Sequence, residues 1–402
     1  MRQTRKNRGV AAVLVLGLLL SGCGAPSGLT QPDGSATSAA DPQKQTEALT
    51  QDEQIDQSIN AMTPEEKVAQ LFVVLPEDLV DDVDCVIQAG DATRDGLNAY
   101  PVGGIIYMEQ NLESADQVQD MLKNVQQFSQ ERIGLPLFTC VDEEGGTVAR
   151  IAGSGKFDVP DVGNMADIGA AGDAEQARQV GETIGGYLTE LGFTLDFAPD
   201  ADVWSNPDNE IVKYRSFGDD PQTVSELSKA VLEGLRKQGV CGVLKHFPGH
   251  GATEGDTHAG YAYTNKTLEE LEACELIPFQ NGIDNGAPII MVAHISLPNV
   301  IGEDTPASLS KEIVTDLLRE QMGYDGVVVT DALNMGAVAQ HYSSEQAAVK
   351  ALEAGADLIL MPEDFHAAYQ GVLDAVQDGT ISEERLNQSL QRILKVKMEM
   401  QQ

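Results

Sequence analysis

Short apolar runs recur along this chain from residue 71 onward, with longer amphipathic stretches between them. Runs at 71–74, 104–107, 137–141, 194–198, 242–246, 289–294, 326–330 and 357–361 are nearly continuous in apolar residues. Such runs read as strands buried on both faces, the pattern of a parallel sheet. The stretches 115–128, 174–191, 221–238 and 311–321 carry helical periodicity, and 382–400 reads as a last helix. Thr63-Pro64-Glu65-Glu66 supplies a helix N-cap with proline in the first turn. Eight strand–helix alternations predict an α/β fold, a single (β/α)8 TIM-type barrel, with an open doubly wound sheet as the topological alternative.

The first fifty residues break this pattern. Arg2, Arg5, Lys6 and Arg8 precede an apolar run, 10–20, interrupted only by Gly17. That run is short for a bilayer span and fits a secretory signal. Leu20-Ser21-Gly22-Cys23 resembles the lipobox of bacterial lipoproteins, so Cys23 is the expected lipidation site. The stretch that follows is rich in Ser, Thr, Gln, Pro and Ala and reads as a disordered tether. The expected organisation is a signal peptide over 1–22, a lipidated tether over 23–50 and a barrel domain over 51–402. It places a monomeric domain outside the cytoplasm, attached to the membrane through lipid alone.

Charge narrows the partners. The 402 residues carry a formal charge of −37, and loss of residues 1–22 removes four basic side chains and no acid. Phosphate neutralisation needs clustered Lys and Arg, so nucleic acid is excluded as a partner. Cys140 and Cys241 fall in apolar runs and read as core thiols, whereas Cys85 and Cys274 are candidates for a pair in an oxidising compartment.

The chemistry concentrates where the fifth run ends. Lys245-His246-Phe247-Pro248-Gly249-His250-Gly251 is followed by Asp256-Thr257-His258, three of six histidines within thirteen residues. A zinc site built on His246 and His250 would need a helix, and Pro248-Gly249 breaks one, so no metal or other cofactor is expected. Asp256 and His258, two apart, lean to one side of an extended loop, and a carboxylate beside an imidazole suits acid–base work. In a barrel that loop lies on the C-terminal face, where catalytic groups collect. Asp331 ends the apolar run 326–330 abruptly; it is either the cap of the next helix or a nucleophile at a strand tip.

Several segments together resemble the family 3 glycoside hydrolases of the β-N-acetylglucosaminidase branch. They are Asp142-Glu143-Glu144-Gly145-Gly146, Phe197-Ala198-Pro199 with Asp202-Val203, Arg215-Ser216-Phe217-Gly218, the 245–258 segment, and Thr330-Asp331-Ala332-Leu333. The resemblance implies Asp331 as nucleophile, His258 as acid/base and Asp256 as its orienting partner. It implies that Asp142, Arg150, Arg215, Lys245 and His246 bind a sugar. It further implies a retaining double displacement that releases terminal β-linked N-acetylglucosamine from cell-wall (peptidoglycan) fragments, without a cofactor. The rival activities are a β-glucosidase or β-xylosidase and a phosphorylase; a sugar-binding lipoprotein is the rival without catalysis. Lys213 and Tyr214 depart from the smaller residues usual before Arg215, and the acidic segment 76–100 lengthens the first loop.

Overall fold

The structure, a computed structural model, describes residues 49–254 and 262–400. All eight predicted strands are present, and each is buried along its whole length, as their unbroken apolar composition requires. They are Phe72–Val74 (β1), Gly104–Ile106 (β2), Phe138–Val141 (β3), Leu195–Asp196 (β4), Cys241–Phe247 (β5), Ile289–Val292 (β6), Val327–Thr330 (β7) and Ile359–Leu360 (β8). Neighbours pair in parallel from β1 through β7, and β8 pairs with β1. A parallel bridge between Val329 and Leu358 joins β7 to the start of β8 and closes the sheet. The fold is a (β/α)8 barrel, not an open sheet.

Capping chemistry sets where the surrounding helices begin. Thr50 with Glu53 and Thr63 with Glu66 form reciprocal capping boxes at Gln51–Ala61 and Pro64–Ala69. Asp173, Asp220 and Ser382 accept backbone N–H groups at the starts of Ala174–Leu191, Pro221–Lys237 and Glu383–Glu399. Each of these helices turns an apolar stripe to the barrel; in the first, Ala177, Val180, Ile184, Leu188 and Leu191 are buried. Among the described residues no helix is long and apolar enough to cross a membrane.

Several local features differ from the sequence expectation. The run at 194–198 is regular strand only at Leu195–Asp196; Pro199 has no N–H to donate, and pairing with β5 is taken up again at Asp200, opposite Lys245. The stretch expected as an α-helix over 311–321 winds as a π-helix, Glu312–Gln321. Two small pairings went unforeseen, an antiparallel hairpin of Glu143–Gly145 with Val148–Ala149 and a parallel pair of Ala262–Tyr263 with Ile295–Ser296. Cys140 and Cys241 are buried thiols; Cys85 and Cys274 are also thiols, and Cys85 donates to the Gln110 carbonyl.

Candidate active site

At the C-terminal ends of the strands lies a cavity of ≈ 270 Å³, and Asp142, Arg150, Arg215, Lys245, His246 and Asp331 all line it. Six residues drawn from positions 142 to 331 therefore meet in one place. Asp256, His258 and Cys23 lie outside the described residues.

The segment after β3 shows how sequence forces this geometry. The chain leaves Val141, turns back through Gly145 and Gly146, and returns along Val148–Ala149 to present Arg150. Both glycines have positive φ, +93° and +55°. A side chain on Gly146 would come within 2.4 Å of Asn164 Oδ1, so only glycine makes the turn. Asp142 at the strand end and Glu144 on the hairpin then face β5.

There they meet two cations. The Lys245 ammonium lies 2.8 Å from Asp142 Oδ1 and 2.7 Å from Glu144 Oε1. Arg215 donates to both oxygens of Glu144, at 2.8 and 2.7 Å. Glu144 is buried, which alone would raise its pKa, but the charges of Arg215 and Lys245 hold its carboxyl well below the usual range. Burial likewise pushes the Lys245 ammonium toward its neutral form, and the carboxylates of Asp142 and Glu144 outweigh it. Lys245 is the structural ion pair and a wall of the cavity at once.

His246 completes this layer. Arg215 Nη2 stands 3.1 Å from His246 Nε2, and a guanidinium only donates, so Nε2 accepts. The proton then sits on Nδ1, 2.7 Å from Asp202 Oδ2, which fixes one neutral tautomer. Burial, reinforced by Arg215, lowers the His246 pKa to about 4. His250 also borders the cavity, with its Nδ1 3.0 Å from the Thr253 hydroxyl and its backbone N–H on Asp202 Oδ1.

Asp331 stands at the tip of β7, where its N–H donates to the Val292 carbonyl and its Oδ1 accepts from Ala332 N–H at 2.8 Å. Burial raises its pKa, but His294, His246, the Ala332 N–H and Lys245 outweigh that and leave it lowered. The carboxylate is thus ionised at neutral pH and faces the cavity, as a nucleophile must be. His294 is buried behind it: Nε2 lies 2.9 Å from the Ala332 carbonyl and Nδ1 2.6 Å from the Ser308 hydroxyl. It braces the turn carrying Asp331 and does not line the cavity.

One cluster among the described residues, Asp200, Asp202 and His246, brings three ligand-type atoms within 4.8 Å of one another. Most of its atoms are engaged within the protein, Asp200 Oδ1 by the Asp202 N–H at 2.8 Å. Asp202 takes His246 Nδ1 and His250 N–H, and Arg215 Nε stands 3.6 Å from Asp200 Oδ2. The guanidinium of Arg215, beside Asp200 and 3.1 Å from His246 Nε2, sets a positive charge against the cluster, and the cluster orients Arg215 and His246.

Glu144 and Asp200 received no role from the sequence. The spacing Asp142-x-Glu144 on a strand end signals two carboxylates on one face, which singles out Glu144 in retrospect. Asp200-x-Asp202, after the Ala198-Pro199 pair, carries the same spacing and marks Asp200 in the same way.

Comparison with known proteins places the chain in a family. A profile of the glycosyl hydrolase family 3 N terminal domain matches residues 63–396. Beta-hexosaminidase A of Pseudoalteromonas piscicida is 35% identical over 76% of this chain, which spans 55% of that protein's length. Beta-hexosaminidase LpqI of Mycobacterium tuberculosis is 33% identical over 84% of this chain and 83% of its own. Among solved structures, a family 3 β-N-acetylglucosaminidase from Paenibacillus sp. FPU-7 superposes with a TM-score of 0.79 at 39% identity, covering 85% of this chain and 63% of that one. With the profile covering nearly the whole barrel and a relative matched over most of its length, the chain belongs to glycosyl hydrolase family 3.

Proposed function

We propose that this protein hydrolyses terminal β-linked N-acetylglucosamine with retention of configuration. The observation that carries the reading is Asp331, an ionised carboxylate at a strand tip inside a cavity walled by Asp142, Arg150, Arg215, Lys245 and His246. The names of the relatives, β-hexosaminidases and a β-N-acetylglucosaminidase, support the choice of sugar.

In the first displacement Asp331 attacks the anomeric carbon, the glycosidic C–O bond breaks, and the leaving oxygen takes a proton from His258. In the second, water attacks the same carbon, its proton passes to His258, and Asp331 is released. Asp256 orients His258 and favours its protonated form. Lys245, Arg215 and the wall carboxylates hydrogen-bond sugar hydroxyls and fix C1 over Asp331. The substrates we infer are fragments of peptidoglycan, met outside the cytoplasm by a monomer tethered through a lipidated Cys23.

The test is hydrolysis of p-nitrophenyl N-acetyl-β-glucosaminide, with the glucoside and xyloside in parallel, by the wild type, Asp331→Ala and His258→Ala. Cleavage of the N-acetyl substrate, with kcat reduced on the order of 10⁴-fold or more in Asp331→Ala, is expected. Sugar-1-phosphate formed only with added phosphate would reassign the protein as a phosphorylase. Binding of sugar without turnover of any glycoside would favour a binding lipoprotein.

A further inference from the structure

The hairpin between β3 and Ile151 carries three carboxylates in a row, and only two of them face the cavity cations. Asp142 and Glu144 pair with Lys245 and Arg215. Glu143, between them, points the other way into the protein and is fully buried. Its Oε1 accepts from Ala152 N–H at 2.9 Å and from the Tyr187 hydroxyl at 2.8 Å, and its Oε2 accepts from Ile151 N–H at 2.8 Å. The N–H of Glu143 donates to Asp196 Oδ1 at 2.9 Å.

These bonds clamp the hairpin at both ends. Asp196, the last residue of β4, holds its start; Glu143 holds the two residues that directly follow Arg150. Tyr187, buried on the helix Ala174–Leu191, fixes the carboxylate that does so. The Arg150 side chain lines the cavity, and its Nε is buried with no hydrogen-bond partner among the described residues. An orphaned buried donor is costly unless a ligand satisfies it. Among the described residues Glu143 is the one carboxylate of the hairpin without a cation, and its oxygens are engaged by backbone and tyrosine donors.

We propose that Glu143 and Tyr187 are positioning residues that aim Arg150 into the cavity and keep its guanidinium available to the ligand. The assignment rests on the glycosidase reading, in which Arg150 donates to an oxygen of the sugar. Neither residue touches the sugar; both act through the backbone at 151–152. Glutamine at 143 retains one acceptor oxygen and turns an NH₂ toward a backbone N–H, so the shape is kept and the clamp is lost.

The experiment is a double-mutant cycle on p-nitrophenyl N-acetyl-β-glucosaminide with Tyr187→Phe, Arg150→Ala and the pair, alongside Glu143→Gln. Urea melts report the folded fraction of each, so that lost protein is not read as lost affinity. Tyr187→Phe is expected to raise KM roughly three- to tenfold with kcat within about twofold, the signature of lost binding that is uniform along the reaction. Glu143→Gln raises KM further, and in the Arg150→Ala background Tyr187→Phe has no additional effect. An active wild type whose KM ignores Tyr187→Phe, or a Tyr187→Phe effect that multiplies undiminished on top of Arg150→Ala, overturns the assignment alone. A wild type that cleaves no glycoside overturns the glycosidase reading and this assignment together.

Discussion

At the scale of single residues, the cavity wall is a set of charges that depend on one another. Glu144 is shared by Lys245 and Arg215, so its removal leaves two buried cations side by side. Glu144→Ala is expected to cost about 3–5 kcal/mol of stability in urea melts, the range for breaking a buried pair. The two histidines of the wall give a pH dependence. His246 and His250 are held to about 4 by burial, against an ordinary value of 6.5. Between pH 4 and 6.5 these two imidazoles bind protons in the unfolded chain that they refuse in the folded one, so their contribution to stability rises with pH across that window and levels off above it. Half-buried carboxylates such as Asp78, raised to about 6 by burial, contribute in the opposite sense. Melting temperatures of the wild type and His246→Gln measured from pH 4 to 8 should differ by an amount that changes through that window, the wild type losing more than the variant as pH falls from 6.5 to 4. The sequence displayed Asp331, Lys245 and His246 openly, because an ionisable residue in or ending an apolar run has few structural uses. Glu144 was hidden beside Asp142 and Glu143, three acids that look alike until the hairpin sends the middle one inward.

At the scale of elements, the strands were legible because burial on both faces leaves no room for polar alternation. The hairpin at 143–149 was not, since its residues are acids and glycines whose pairing is dictated by contacts distant in the chain. The same holds for the seam that fixes the last helix. Asp357, fully buried just before β8, accepts from Arg319 at 2.6 Å, Ser389 at 2.7 Å and Val328 N–H at 3.0 Å. Arg385 and Arg392 of Glu383–Glu399 approach it at 3.5 and 3.3 Å. Burial works against its charge, and the three arginines more than compensate. Asp357→Ala should therefore destabilise the fold by about 3–5 kcal/mol while kcat per folded molecule stays near wild type, since no cavity residue is touched. Denaturation coupled with active-site titration would check both halves.

At the scale of the whole molecule, 63 acids face 26 bases, so the surface repels itself. Added salt screens such repulsion over about 10 Å at 0.1 M, and the melting temperature should rise between low and moderate ionic strength. A melting temperature that is flat or falls with added sodium chloride would show that local ion pairs dominate instead. The closure of the sheet has a different consequence. Glu383–Glu399 packs beside Gln51–Ala61, and the Gln391 amide donates to Asp56. Lys67 reaches Glu383 and Asn387 from the next helix. The barrel is thus a ring with a single nick, and the nick lies in a seam between two surface helices, away from the strand tips that carry the chemistry. Joining residues 400 and 51 through a short linker and opening the chain at another surface turn would move the nick without redrawing the ring, which makes the domain a candidate for circular permutation or for insertion into a host protein.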